Sequence, residues 1–440
     1  MDKIQLKERV INQIDLEREN ILRIGREIYK NPETGYREHK TTKLLADELE
    51  NLGLKVDRNI AVTGCRAYSN ENKSGIKVAV MGELDSVICK DHKDCDINTG
   101  AMHACGHNMQ TTVMYGVAAA LVKSGVLSEL DGRVDFMAVP AEEYIELDFR
   151  EELKNKGELT YYSGKQELTY KGAFDDVSMC MMIHNFPIEE EGYKVAAQIS
   201  GTGFVGKKIK FIGQEAHAGG TPYKGINALN MATIAINSMH VQRETFKDED
   251  CVRVHQIMPK GGAIVNTVPA DVQLETCIRA MNVPALRDAN MKINRCVQGA
   301  AIAMGGHAEI SDMPGYLPMN TDKIMADLFT ENAKRFYQAE EILPFYKSTA
   351  SFDIGDLSMF MPVLHPVSSG ISGGLHSRDY KITNEEDAYI TPIKIMACTL
   401  IDLLYDNAEI GERIVRDFKP VMTKEEYLDY LKESEVVTRY

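Results

Sequence analysis

The chain has 440 residues, with 50 Lys and Arg against 65 Asp and Glu, for a formal net charge of −15. Its length predicts two or three domains, and 44% hydrophobic against 26% charged residues excludes a disordered chain. The acidic balance excludes sequence-independent attraction to nucleic acid or anionic lipid, and no apolar run reaches the roughly 20 residues of a membrane helix.

Residues 1–20 are highly charged and lack the apolar core of a secretory signal, so the protein is expected in the cytoplasm. Nine widely spaced cysteines form an odd set, which reads as reduced thiols rather than a disulfide framework. Residues 15–53 carry two helical patterns. The first stops at Asn31-Pro32; the second ends at Gly53 and places Leu44, Leu45, Leu49 and Leu52 on one face. The period then changes. Short apolar runs at 55–56, 76–81, 133–139 and 177–183 predict buried strands, with a helix over 109–123 between the second and third. Strands alternating with helices predict an α/β fold whose sheet is covered on both faces.

From about Gln198 the texture shifts. Residues 207–212 alternate polar and apolar, followed by a helix over 227–240, strands over 252–258 and 271–279, and a helix over 283–304. This βαββα block predicts a small second domain, whose strand 207–212 is expected to offer an edge for pairing with another chain. Helices over 322–338 and 391–406 follow.

Polar clusters stand at the ends of the predicted strands, where open α/β sheets bind ligands. Cys105-Gly106-His107 offers a thiolate and an imidazole two residues apart, with a glycine that lets the backbone turn and Asn108 expected to cap the following helix. Glu142 and Glu143 end the strand 133–139. On an extended backbone their side chains diverge, so one carboxylate can bind metal while the other faces a reacting water. His184 follows the apolar run 177–183. With Cys105, His107 and Glu143 it makes a ligand set suited to zinc or another late divalent ion, and the Gly-rich loop 368–377 can bring His376 as a further ligand. His39, His92, His240, His255, His307 and His365 read as surface or packing residues.

In order along the chain stand Gly-Glu-Leu-Asp-Ser at 82–86, Met-His-Ala-Cys-Gly-His at 102–107, Pro-Ala-Glu-Glu at 140–143 and Met-Ile-His at 182–184. Glu-Ala-His-Ala at 215–218, Val-Asn-Thr-Val-Pro at 265–269 and Gly-Leu-His-Ser at 374–377 complete the set. It resembles the dinuclear metal-dependent amidohydrolases of the aminoacylase and glutamate carboxypeptidase superfamily. Within that superfamily it is most similar to the branch of indole-acetyl-amino-acid, N-acyl-amino-acid and aminobenzoyl-glutamate hydrolases, over nearly the whole chain. The resemblance implies a mixed-sheet α/β catalytic domain built from residues 1–197 and 312–440. It also implies an inserted α+β lid, 198–311, through which a homodimer forms. It implies two divalent ions, Zn or Mn, with Ni or Co tolerated, held by Cys105, His107, Glu143, His184 and His376, with Cys105 bridging. Glu142 is then the general base. The lid residue His217 stabilises the oxyanion in its own or the partner's site, and Asn266 and Arg279 bind substrate. The implied substrates are small amides: N-acyl-amino acids, dipeptides or aminobenzoyl-glutamate conjugates. Many relatives carry Asp where Asn108 stands; Asn is expected to keep the helix cap and marks a subgroup.

Two other readings compete. The chain could be a metal-stabilised scaffold or sensor without turnover, or Cys105 could be a metal-free redox or nucleophilic thiol. Elemental analysis separates the second from the rest, and Glu142→Gln separates enzyme from scaffold.

Overall fold

The structure, a computed structural model, describes residues 2–440. The first helix, α1 (Lys3–Lys30), is longer than its predicted pattern, because the charged residues near its start lie on the outer face while Leu6, Val10, Ile14, Ile21, Ile24 and Ile28 are buried. Asp2 caps it by accepting from the Gln5 amide at 2.8 Å. Helix α2 (His39–Asn51) and the strands β1 (Lys55–Ile60), β2 (Gly64–Ser69) and β3 (Lys77–Glu83) follow. β2 was not legible in the sequence. Its pairing with β1 turns through Ala61 and Val62, both at positive φ, which lack the Gly or Asn that ordinarily marks such a turn.

Helix α3 (His107–Lys123) is buried almost all round and so shows no amphipathic stripe. Then come β4 (Arg133–Val139), α4 (Leu147–Asn155), α5 (Gly164–Tyr170) and β5 (Met179–Met181). Next are β6 (Gly203–Ile212), α6 (Ala228–Val241), β7 (Arg253–Lys260), β8 (Asp271–Ala280), α7 (Val283–Met304) and β9 (His307–Pro314). The returning chain adds α8 (Lys323–Ala333), β10 (Val363–Leu364), α9 (Thr391–Leu404), α10 (Lys424–Ser434) and β11 (Val437–Arg439). Among the described residues no single helix is long and apolar enough to cross a membrane, and the nine cysteines there form no disulfide.

The chain forms two compact units. The first comprises residues 2–199, 320–347 and 360–420. Its mixed sheet has the order β1-β2-β4-β3-β5-β10, parallel from β4 to β10 and antiparallel at β1 and β2. Helices α1, α3 and α9 pack their apolar faces into one core with it. At Gly82, one residue before the end of β3, a Cβ would meet Thr111 Cα at 2.6 Å, so only glycine lets the strand end lie this close to the first turns of α3.

The second unit comprises 200–319, 348–359 and 421–440. Its antiparallel sheet has the order β7-β8-β6-β9-β11, with α6 and α7 on its apolar face. Two expectations are corrected here. Residues 207–212 lie in β6, the central strand, paired with β8 on one side and β9 on the other, so they offer no edge; the outer strands are β7 and β11. The second unit is also larger than 198–311. The chain's last residues join it because Glu309, Ile310 and Ser311 pair with Arg439, Thr438 and Val437, and Val421 donates its amide to Met359 O at 2.8 Å.

Candidate metal centre

The site of the first unit is built where β3, β4 and β5 end and α3 begins. Cys105 precedes Gly106, whose φ of 92° is left-handed backbone that a side chain resists, and the helix starts at His107. Gly106, not Asn108, is the N-cap. Asn108 lies inside the first turn and donates Nδ2 to the Tyr389 hydroxyl at 2.8 Å, so the expected cap is corrected: the turn at Gly106 draws two more residues, His107 and Asn108, into the helix.

At the end of β4, Ala141 has φ 52° and its amide donates to Glu38 Oε1 at 2.8 Å. Glu38 is fully buried, also accepts from the Thr63 hydroxyl, and has its pKa pushed up to about 8 by burial and by Asp85. Arg150, itself buried, donates to the Glu143 carbonyl and, at 2.8 Å, to that of Tyr162. The backbone carrying Glu142 and Glu143 is therefore held from both sides. The Glu143 amide donates to Asp85 Oδ2 at 2.8 Å, which ties the β4 end to the β3 end. His376, at φ 57°, donates its amide to Ala104 O at 2.8 Å, and this brings the Gly-rich loop against the Cys105 turn. His92, a buried packing residue, fixes the same loop by donating Nε2 to Tyr380 O at 2.8 Å, since its Nδ1 accepts from the Asp94 amide.

The five expected ligands come together. Cys105 Sγ lies 3.5 Å from His184 Nε2 and 3.2 Å from His376 Nε2, and His376 Nε2 lies 2.9 Å from Glu143 Oε1. Cys105, His107 and His184 form one group with every donor atom within 4.8 Å of the others. Cys105, Glu143 and His376 form a second, so the thiol is common to both. Glu142 stands outside these two, with Oε2 3.9 Å from His107 Nε2.

The field here is negative. Burial lowers the pKa of His107, yet Glu83, Asp85 and Glu143 outweigh it and hold the imidazole up to about 10. Burial, with Glu143 and Glu142, pushes the Cys105 thiol far up. His184, desolvated and beside His107, is lowered to about 4. Buried carboxylates this close to a thiol and imidazoles require positive charge among them, and the donor set suits late divalent ions. The ring nitrogens are set accordingly. His107 Nδ1 lies 3.0 Å from the Asp85 carbonyl, and His184 Nδ1 lies 2.7 Å from the Asn185 carbonyl; carbonyls only accept, so each Nδ1 carries a proton and turns Nε2 inward. These residues fit two ions.

His217, Asn266 and Arg279 belong to the second unit. His217 and Asn266 adjoin: the Ala218 amide donates to Asn266 O at 3.0 Å, and His217 bridges Thr267. His217 is exposed, and its Nδ1 accepts from the amides of Gly219 and Gly220 at 3.2 and 3.0 Å, which leaves Nε2–H as its outward donor. Arg279 is not with them. It lies at the far end of β8, where its guanidinium donates to Ser351 Oγ at 2.6 Å and rests over Phe204. Eight strand residues separate it from the His217 end, about 27 Å.

Sequence reading places Glu83 and Asp85 in a polar cluster at a strand end without giving either a role, does not find Lys165 as a site residue, and takes His365 as a packing or surface residue. His365 is fully buried, with its ring centroid 6.1 Å from that of His184. Glu83 accepts from Lys165 at 2.6 Å and from Gln110 at 2.8 Å, and Lys165 is fully buried. The signal available was the position of Glu83 and Asp85 at a strand end.

The carboxylate of Glu142 beside a thiol common to two donor groups, at the strand ends of a mixed α/β sheet, is the arrangement of a class, the metal-dependent amide-bond hydrolases. A profile of peptidase family M20/M25/M40 matches residues 79–402, and the chain belongs to that family. It is 27% identical to mouse Xaa-Arg dipeptidase over 96% of this chain and 94% of that protein. It is also 27% identical to an Arabidopsis thaliana IAA-amino acid hydrolase (ILR1-like 4), over 70% and 67% of the two chains. A dinuclear metal-binding peptidase of the M20 family from Bacillus subtilis superposes with a TM-score of 0.67 at 20% identity, covering 88% of this chain and 98% of that one.

Proposed function

We propose that the protein hydrolyses the amide bond of dipeptides or N-acyl-amino acids, using two divalent ions held by Cys105, His107, Glu143, His184 and His376, with Cys105 shared. The observation that carries this reading is the pair of donor groups meeting at one thiol, with Glu142 beside them. Bound there, Zn or Mn supplies Lewis acidity and brings the pKa of water down towards about 7. Glu142 takes the proton of the attacking water and returns it to the leaving amine. The Nε2–H of His217 donates to the developing oxyanion, its tautomer fixed by the two glycine amides. Arg279 offers a planar fork for a substrate carboxylate, and Asn266 offers an amide.

The separation of His217 from Arg279 along β8 supports a homodimer. Both cannot reach one small substrate from a single lid, so one of them acts on the partner's substrate. The outer strand β7, with Ile257 and Met258 exposed, supports pairing of the two lids there.

The test is a screen of Xaa-Arg and other dipeptides, N-acyl-amino acids and aminobenzoyl-glutamate with Zn- or Mn-loaded and chelated protein, following free amine. Release by the loaded protein alone, lost in Glu142→Gln with ion content unchanged, is expected. No release from any class would overturn the proposal.

A further inference from the structure

Resting on the two-ion reading, we infer that Glu83 is a sixth protein ligand, an oxygen donor to the ion held by Cys105, His107 and His184. His107 makes the case. Its Nδ1 is committed to Asp85, while Nε2 is buried and makes no hydrogen bond. Glu83 Oε2 lies 3.2 Å from that Nε2 without the alignment of a hydrogen bond. Two donors on one late divalent ion, each about 2.1 Å from it and about 100° apart, sit about 3.2 Å from each other. The spacing is therefore that of neighbours in one coordination sphere. Glu83, His107 and Glu142 form a third group of donor atoms within 4.8 Å of one another, linked to the first through His107.

The carboxylate is also aimed. Glu83 Oε1 accepts from Lys165, Oε2 accepts from Gln110, and the Glu83 amide lies 3.3 Å from Gln110 Oε1, so the side chain cannot swing away. A carboxylate oxygen has room for both the Gln110 N–H and an ion. Lys165 cancels one negative charge in a region where Glu83 is 2% exposed, which keeps a desolvated acid in place before an ion arrives.

The two ions are then unequal. The one at Cys105, His107, His184 and Glu83 has four protein ligands, the closed arrangement of tightly held ions, and a carboxylate oxygen that widens its tolerance towards Mn. The one at Cys105, Glu143 and His376 has three and keeps room for substrate.

Two measurements test this, neither of them turnover. In crystals of the unaltered protein soaked with Mn, anomalous peaks are expected to include one about 2.0–2.4 Å from Glu83 Oε2. Two peaks both beyond about 3 Å would overturn the inference while leaving the two-ion reading intact. In solution, chelator competition is read for the parent, for Lys165→Met and for the charge-balanced pair Glu83→Gln with Lys165→Met. The pair is expected to bind one ion at least about tenfold more weakly and the other unchanged, while Lys165→Met alone keeps both. Two unchanged affinities in the pair, or an equal loss in Lys165→Met, would overturn it. A parent that binds no divalent ion would overturn the two-ion reading itself.

Discussion

Glu38 and Ala141 show how one residue can govern a centre it does not touch. The left-handed backbone at Ala141 sets the direction in which Glu142 and Glu143 leave β4, and the Glu38 carboxyl holds its amide. An unfolded glutamate gives up its proton near 4.5, whereas this buried one keeps it to about 8. The protonated form thus stabilises the fold fully below about pH 4.5, and that contribution is lost as the pH rises from there to about 8. Glu38→Gln is expected to melt higher than the parent at pH 8.5 and no higher at pH 5, measured by thermal denaturation of chelated protein. His217→Ala tests a single donor. With ion content unchanged it is expected to lower kcat about 100-fold or more, and near-normal turnover would remove this imidazole from the reaction. Cys105, His107, Glu143 and His184 were legible because each follows an apolar strand or adjoins the start of a helix, so its place is decided locally, whereas His376 was legible only from the Gly-rich loop that carries it. Glu38 and Lys165 were not, because their meaning lies in partners 103 and 82 positions away.

Among elements, the entry of α3 bears most directly on function, since Gly106 turns the chain so that Cys105 and His107 fall into one group of donor atoms. A Cβ on Gly106 would carry the left-handed penalty and meet Asn185 Oδ1 at 3.1 Å and the Tyr380 hydroxyl at 3.4 Å. Gly106→Ala is expected to cost about 1–2 kcal/mol in chemical denaturation and to weaken ion retention in dialysis. Helix α7 was legible to the residue at 283–304, because Asn282 caps it, Pro284 opens it and Gly305 closes it. β9 and β11 were not. Residues 307–314 mix charged and apolar positions without a clean period of two, and β11 is a three-residue strand whose identity comes only from pairing with β9. The error over β6 has the same root. Alternation reports that a strand has one buried face and says nothing about its neighbours in the sheet.

At the scale of the whole molecule, His217 and Arg279 stand at opposite ends of the second unit's sheet. If His217 serves the partner's substrate, mixing His217→Ala with Glu142→Gln protein under conditions that exchange subunits restores turnover. Half of the randomly formed dimers are mixed, each with one intact site of two, so about a quarter of parental activity is expected. No recovery would assign His217 to its own subunit. The acidic balance of the chain does not by itself attract a substrate carboxylate, and beyond about 8 Å salt screens most of that field, so salt beyond physiological strength is expected to change KM only weakly.

The final strand has a role that its three residues do not advertise. By pairing with β9 it seals one border of the second unit's sheet, and Tyr440 continues the seal by exchanging backbone hydrogen bonds with Ala308 at 2.8 and 3.1 Å. Strip residues 436–440 away and the sheet becomes sticky on two sides instead of one. Two open borders on one sheet permit open-ended strand pairing where one permits only a closed pair, so removing the final strand is expected to promote end-to-end assembly, read by light scattering.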